Sequence, residues 1–265
     1  MSRIDETFAR LRAKKKTGLV TYATAGDPDL ARSRTVLEAL DRAGADVLEV
    51  GVPFSDPLAD GPAIQRATER ALAAGSTITS TLDLIAQVRP MVAAAIVVFT
   101  YVNPVLAMGL DTFVRRAVTA GADGLLVLDL PIEESVELRE AAAREGLDLI
   151  FLLSPTTTEA RLRRTAELGR GFLYGISRLG VTGERDTIGE GARELVERIR
   201  KVTELPIALG FGISRPEHVA EVGRWADAAV VGSGLVNTIA KAANGDLAGE
   251  VERYVRWLRG NASRE

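Results

Sequence analysis

The chain has 265 residues, with 33 Lys plus Arg against 36 Asp plus Glu for a net charge of −3, one histidine and no cysteine. That balance argues against nucleic-acid binding, which needs a cationic excess for its phosphate contacts, and the lack of cysteine excludes disulfides, thiolate catalysis and Cys-based metal sites. Apolar residues, 46% of the chain, allow a sizeable core, and the length suits one α/β barrel of about 250 residues or two smaller domains.

The first residues, Met1-Ser2-Arg3-Ile4-Asp5-Glu6, lack the apolar core of a signal peptide, so a cytoplasmic protein with no membrane role is expected. A leading helix is expected over 3–15, closing the bottom of a barrel. Its Lys14-Lys15-Lys16 run reads as a solvated helix end that complements the macrodipole. Beyond it a short β-branched run, a turn and an amphipathic helix recur. The runs are 19–24, 47–50, 95–101, 124–128, 149–153, 172–176, 207–209 and 228–231. The longest apolar stretch, 91–102, is too short to cross a bilayer as a helix and reads as a buried strand.

Helix ends carry local signals. Asp27 before Pro28 predicts an N-cap, and Gly44 closes the helix that presents Val36, Leu37 and Leu40. Thr156 with Glu159, and Ser214 with Glu217, have capping-box spacing, and Gly169 is a C-cap candidate. No low-complexity segment or linker interrupts the pattern, so 1–265 is expected to be one domain. Eight alternations predict a parallel sheet closed into a (β/α)₈ TIM barrel with an N-terminal helix. An open doubly wound sheet gives the same alternation, but its Gly-x-Gly-x-x-Gly turn and Walker-type Lys are absent.

Barrel chemistry is built on the loops after the strands. In Asp46-Val47-Leu48-Glu49-Val50-Gly51, alternation puts Val47 and Glu49 on one face. A carboxylate there is either ion-paired to a neighbouring strand or raised in pKa for use; the neighbouring runs carry no obvious cation. The next loop brings Asp60, an N-cap or a second working carboxylate, and Asp56, a turn residue before Pro57. Unequal burial of Glu49 and Asp60 would push their pKa values apart and divide proton donation from acceptance. Late in the chain, Gly210-Phe211-Gly212 and Gly232-Ser233-Gly234 follow consecutive strands and suit an anion such as a phosphate. Tyr22, Thr24, Tyr101 and Tyr174 lie near strand ends, as pocket residues or as interior packing. His218 is expected on an exposed helix. With one histidine no zinc site is expected, an all-carboxylate site staying open.

The unbroken run Leu48-Glu49-Val50-Gly51-Val52-Pro53-Phe54-Ser55-Asp56-Pro57-Leu58-Ala59-Asp60-Gly61-Pro62 resembles the signature of the tryptophan synthase α-subunit family. Thr24-Ala25-Gly26-Asp27-Pro28, Ser177-Arg178-Leu179-Gly180-Val181-Thr182-Gly183, Gly210-Phe211-Gly212-Ile213-Ser214 and Gly232-Ser233 resemble further family motifs, in family order. The resemblance implies retro-aldol cleavage of indole-3-glycerol phosphate to indole and glyceraldehyde 3-phosphate, a lyase step of tryptophan biosynthesis. It implies that Glu49 protonates the ring carbon and takes the hydroxyl proton, with Asp60 as its partner at the indole nitrogen. Gly183, Gly212, Gly232 and Ser233 resemble phosphate-holding positions, and Tyr22, Thr24 and Tyr174 pocket positions. Thr182 resembles a mobile-loop threonine that orients Asp60, within a lid over 179–191. No cofactor is implied in this chain. Pyridoxal phosphate is implied in a partner β subunit of an α2β2 heterotetramer, which consumes the indole and meets loop 53–60 and the lid.

Two departures from the family pattern stand out: Tyr22 occupies a place where many members are expected to carry Phe, and 184–189 is a variable stretch. Three alternatives remain at this stage. A phosphosugar epimerase or isomerase would need another acid/base set, often with metal-binding His. A free-standing indole-releasing lyase differs only in lacking the partner. The third is a chiefly regulatory subunit that activates a β partner.

Overall fold

The computed structural model describes residues 1–176, 190–210 and 212–260. Its eight strands are β1 Gly18–Thr24, β2 Val47–Gly51, β3 Ala95–Thr100, β4 Gly124–Val127, β5 Asp148–Leu153, β6 Leu173–Ile176, β7 Ile207–Gly210 and β8 Ala228–Val231. They pair in parallel, in sequence order, and β8 returns to β1, which closes the barrel and removes the open-sheet alternative. The helices are α1 Arg3–Ala13, α2 Leu30–Arg42, α3 Pro62–Ala73, α4 Ile78–Val88, α5 Val102–Met108, α6 Leu110–Ala120, α7 Val136–Glu145, α8 Glu159–Leu168, α9 Glu190–Arg200, α10 Pro216–Val222, α11 Ser233–Ala242 and α12 Leu247–Leu258. None of the described helices is long and apolar enough to cross a membrane.

Two apolar layers follow from strand alternation. Outward residues such as Leu19, Leu48, Val50, Ile96 and Val98 pack under the helices. Inward residues such as Val20, Val47, Val97, Leu126, Ile150 and Val230 fill the barrel. The bottom is plugged by α1, whose Ile4, Phe8 and Leu11 join the interior cluster, with Phe8 and Phe172 ring centroids 5.6 Å apart. Ser2 caps α1 through a capping box with Asp5, and its Oγ donates to Asp148 at 2.5 Å.

An Ala-Asp pair precedes β2, β4 and β8, and each carboxylate reaches across to the strand before its own. Asp46 accepts Leu19 N–H at 2.9 Å, Asp123 accepts Ile96 N–H at 2.8 Å and Asp227 accepts Ile207 N–H at 2.8 Å. Each is also paired with arginine: Asp46 with Arg259, Asp123 with Arg89 at 3.1 Å, Asp227 with Arg200. This ring staples β1 to β2, β3 to β4 and β7 to β8 at the bottom, opposite the loops that follow the strands. Contacts at that face serve stability, leaving the upper face free for chemistry.

Several local expectations are corrected. The N-cap of α2 is Asp29, not Asp27: Asp29 is extended and accepts Arg32 N–H at 2.8 Å. Asp27, itself buried, is drawn instead into a pair with the partly exposed Arg70. Thr158, not Thr156, caps α8, because Ser154 and Thr157 close a turn that leaves the third threonine extended at the helix start. Arg215, not Ser214, is the N-cap residue of α10. His218 is buried rather than exposed, its Nδ1 accepting Ser214 N–H at 3.3 Å, so α10 presents it to the barrel wall.

Removing Asp123 leaves the Ile96 N–H and the mostly buried Arg89 without their carboxylate. Asp123→Ala should therefore cost about 2–4 kcal/mol in chemical denaturation followed by circular dichroism, with Asp123→Asn costing less. A loss below about 1 kcal/mol would show the staple to be dispensable.

Candidate active site

Glu49 stands opposite Tyr22 of β1 and Val97 of β3 in the register. It shares the inward face of β2 with Val47, so its side chain enters the barrel. It is 1% exposed, and neither carboxyl oxygen has a hydrogen-bond partner among the described residues. The ion-pair alternative is thereby removed. Burial without compensation pushes its pKa up to about 8, so the group is a neutral acid at pH 7.

Asp60 lies in the loop between β2 and α3. It is buried, but Tyr101 Oη donates to its Oδ2 at 3.1 Å and itself accepts Ala59 N–H at 3.0 Å. Burial raises the Asp60 pKa to about 6, the Tyr101 hydrogen bond pulling the other way. Asp60 is not a helix cap: the N-cap of α3 is Gly61, with no side-chain cap bond. Asp56 is an exposed turn residue that accepts the Ser55 hydroxyl at 2.5 Å. Two carboxyl groups of one strand–loop unit thus differ by about two pH units, one protonated and one ionised at neutral pH.

Two of the three tyrosines from the sequence reading, Tyr22 and Tyr174, feel both carboxyl groups of this pair. A Cβ on Gly51 would lie 2.2 Å from Tyr22 Oη, and one on Gly210 2.6 Å from Tyr174 Oη. The two glycines therefore leave the room in which the rings lie. Tyr22 Oη and Thr24 Oγ1 are 3.2 Å apart, and the Tyr22 ring meets Phe99 edge-on at 5.0 Å. Burial drives both tyrosine pKa values well above 10, and Asp60 and Glu49 add to the rise in each, so both hydroxyls stay protonated. The sequence reading missed Leu128, Leu152 and Ile176, apolar residues packed against the interior cluster near the upper ends of β4, β5 and β6. Each lies two residues after an inward position (Leu126, Ile150, Tyr174), so period-two alternation carried the signal. Tyr101, read only as a lining residue, is the hydroxyl that holds Asp60.

The anion-binding candidates follow β7 and β8, the latter pairing with β1 beside the strand of Glu49. Gly212 has φ of +81°, a conformation that side chains resist. Gly232 is the N-cap residue of α11, and Ser233 opens that helix, whose first N–H groups point outward as donors. A Cβ on Gly232 would make ordinary contacts at 3.8 Å with Tyr22 and Ile64, so this helix end adjoins the ring pocket. Thr182 and Gly183, with most of the 179–191 lid, lie outside the described residues. Among the described residues no group of three His, Cys, Asp or Glu side chains is placed to hold a metal.

The sequence model of the tryptophan synthase alpha chain family matches residues 8–260. The tryptophan synthase alpha chain of Geobacter sulfurreducens is 46% identical over 259 residues, covering 98% of either chain. The crystal structure of tryptophan synthase subunit alpha from Legionella pneumophila superposes with a TM-score of 0.90 at 36% identity, covering 98% of both chains. A structure of Mycobacterium tuberculosis tryptophan synthase superposes with a TM-score of 0.91 at 37% identity, again covering 98% of both.

The Glu49 carboxyl has a consequence for stability. Its folded pKa of about 8 exceeds that of an exposed glutamate. Between about pH 4.5 and 8 the folded chain therefore holds a proton that the unfolded chain releases, and stability falls as pH rises through that window. Glu49→Gln should remove the penalty, raising stability by on the order of 3–5 kcal/mol at pH 8.5 and by almost nothing at pH 4.5. Equal effects of the substitution at the two pH values, in denaturant titrations, would contradict a raised pKa.

Proposed function

The chain belongs to the tryptophan synthase alpha chain family, and we propose that Glu49 and Asp60 are the two carboxyl groups that carry its reaction. As an alpha subunit it is a lyase of tryptophan biosynthesis, cleaving indole-3-glycerol phosphate to indole and glyceraldehyde 3-phosphate. The whole chain, 1–265, acts as one catalytic domain in this reading.

The observation that carries the assignment is the buried Glu49 carboxyl, without a partner among the described residues and held protonated, on the same strand–loop unit as an ionised Asp60. Cleavage needs the ring carbon bearing the side chain to be protonated before the carbon–carbon bond breaks. Glu49, an acid at neutral pH, supplies that proton while Asp60, a base, takes the indole N–H proton. The resulting imine nitrogen is an electron sink. Glu49, now a carboxylate, removes the side-chain hydroxyl proton; the C–O bond becomes a carbonyl, the carbon–carbon bond breaks and its electron pair flows toward the ring nitrogen. Asp60 returns its proton there. Both carboxyl groups end as they began, and indole leaves as a neutral ring.

Apolar and aromatic walls suit the indole: Tyr22, Tyr174 and Phe99, with Leu128 and Leu152 beyond them. Thr24, through its contact with Tyr22, completes the pocket. The substrate phosphate is assigned to Gly212, Gly232 and Ser233 by their backbone N–H groups, with Gly183; Thr182 is assigned to orient Asp60.

The partner is a β subunit in an α2β2 assembly, consistent with the Mycobacterium tuberculosis relative being tryptophan synthase itself. Leu58, at 87% exposure in the loop after β2, and Leu106, at 57% in helix α5 after β3, support docking at the catalytic face. Pyridoxal phosphate belongs to that partner in this reading, and the setting is cytoplasmic.

Glu49→Gln should lower indole release from indole-3-glycerol phosphate by about 10²–10⁴-fold while an unreactive substrate analogue still binds; retained turnover would remove Glu49 from the chemistry. Addition of a tryptophan synthase β subunit should accelerate the wild-type reaction, and indifference to it would point to a free-standing lyase. Gly232→Ala, which meets only ordinary contacts, should raise KM for the phosphate ester several-fold and leave free indole binding unchanged. Equal losses for both ligands would place Gly232 outside the phosphate site.

A further inference from the structure

Helix α3 runs from the Asp60 loop to the upper end of β1, and both ends are tied down. At its C-terminal end Arg70 donates Nε and Nη2 to the two oxygens of Asp27, at 2.8 and 2.9 Å. The Asp27 side chain is 1% exposed while Arg70 is partly exposed, and the bidentate geometry fixes the pair. Between the ends, Ala63, Ile64, Ala67, Thr68 and Ala71 are buried. At the N-terminal end Pro62 fixes the first turn. One turn on, Gln65 folds its side chain back and donates Nε2 to the carbonyl oxygen of Asp60 at 2.9 Å.

Asp60 is therefore gripped on all three of its polar groups. Its N–H donates to Pro57 at 3.1 Å, its carboxylate accepts the Tyr101 hydroxyl at 3.1 Å, and its carbonyl accepts Gln65. The direction of the side chain from Cα is set by the backbone on either side of it. Removing the Gln65 amide takes away one of these three holds and loosens the backbone from which the carboxylate is aimed at Tyr101. Displacement of a reacting group by about 1 Å can cost about 10² in rate, so a single backbone tether is enough to matter.

We infer that Gln65 is a positioning residue for the lyase reaction: its amide fixes the Asp60 backbone so that the carboxylate meets Tyr101 and the ring nitrogen of the substrate. The inference rests on the role proposed for Asp60. It needs no contact between Gln65 and substrate, and it predicts that Gln65 and Tyr101 act through one and the same carboxylate.

The test is a double-mutant cycle on indole release. Gln65→Met keeps the length and the helix propensity but removes the donor, and Gln65→Ala is measured beside it as a variant that cannot strain the site. Each should lower kcat about tenfold with KM within twofold of wild type and with little change in thermal midpoint. Combined with Tyr101→Phe, Gln65→Met should add almost nothing to the loss seen in the more damaged single variant. Unchanged kcat, a loss expressed only in KM, or losses that multiply in the double variant would overturn the positioning role. Asp60→Asn run in parallel separates the two layers of the reading. Wild-type turnover in that variant would overturn the role of Asp60 and that of Gln65 with it, whereas an inactive Asp60→Asn beside a fully active Gln65→Met would overturn Gln65 alone.

Discussion

A carboxyl group buried inside a barrel with neither solvent nor a partner is an expensive thing for a fold to hold, and among the described residues Glu49 is such a group. The usual solutions, an ion pair or a set of hydrogen-bond donors, would lower its pKa and leave a spectator charge. Left alone, it remains protonated through neutral pH and is available as an acid. The same isolation makes it a liability at alkaline pH. Stability must come from elsewhere, and the structure places it at the other end of the barrel. The aspartate staples at Asp46, Asp123 and Asp227 lock neighbouring strands there, and α1 fills the opening with Ile4, Phe8 and Leu11. One end of the barrel is satisfied so that the other can be left incomplete.

Asp60 shows how small a change of surroundings reassigns the same chemistry. Burial raises its pKa to about 6, and the Tyr101 hydroxyl donating to it keeps it lower than burial alone would. Tyr101 directly follows β3 as the N-cap residue of α5, so a residue from a neighbouring strand end, not from the loop itself, tempers the effect of burial on Asp60. That crosslink also explains how a loop rich in proline and aspartate can present a carboxylate with a defined direction. Ring contact between Phe54 and Tyr101 at 5.4 Å braces the hydroxyl from the far side. Pre-set groups of this kind act without reorganisation when charge develops in the transition state.

Much of this was legible in the sequence because strand periodicity is a two-residue rule. Alternation alone sent Glu49 inward, and apolar runs of barrel length placed all eight strands within a residue or two. Helix starts were less legible. Asp27, Thr156 and Ser214 each carry a good capping side chain, but Asp29, Thr158 and Arg215 occupy the cap positions. Several residues in a row offered similar capping chemistry there, and tertiary demands such as the Asp27–Arg70 pair chose among them. His218 was misjudged because a helix of seven residues shows too little periodicity to reveal which face is inward. The hold of Tyr101 and Gln65 on Asp60 had no sequence signal at all: the first pairs residues 41 apart, and the second is a glutamine on a helix whose polar face gives no hint that it turns back.

The protonation state of Glu49 is the point on which the rest turns, and it can be read directly. Infrared difference spectra between the unliganded wild-type chain and Glu49→Gln, with glutamate carboxyl carbons isotopically labelled, isolate the absorption of this one group. A protonated carboxyl band at pH 7 that converts to carboxylate as the pH passes about 8 is the expected result. A carboxylate band already present at pH 7 would contradict it, and would leave Glu49 without the proton that cleavage requires of it.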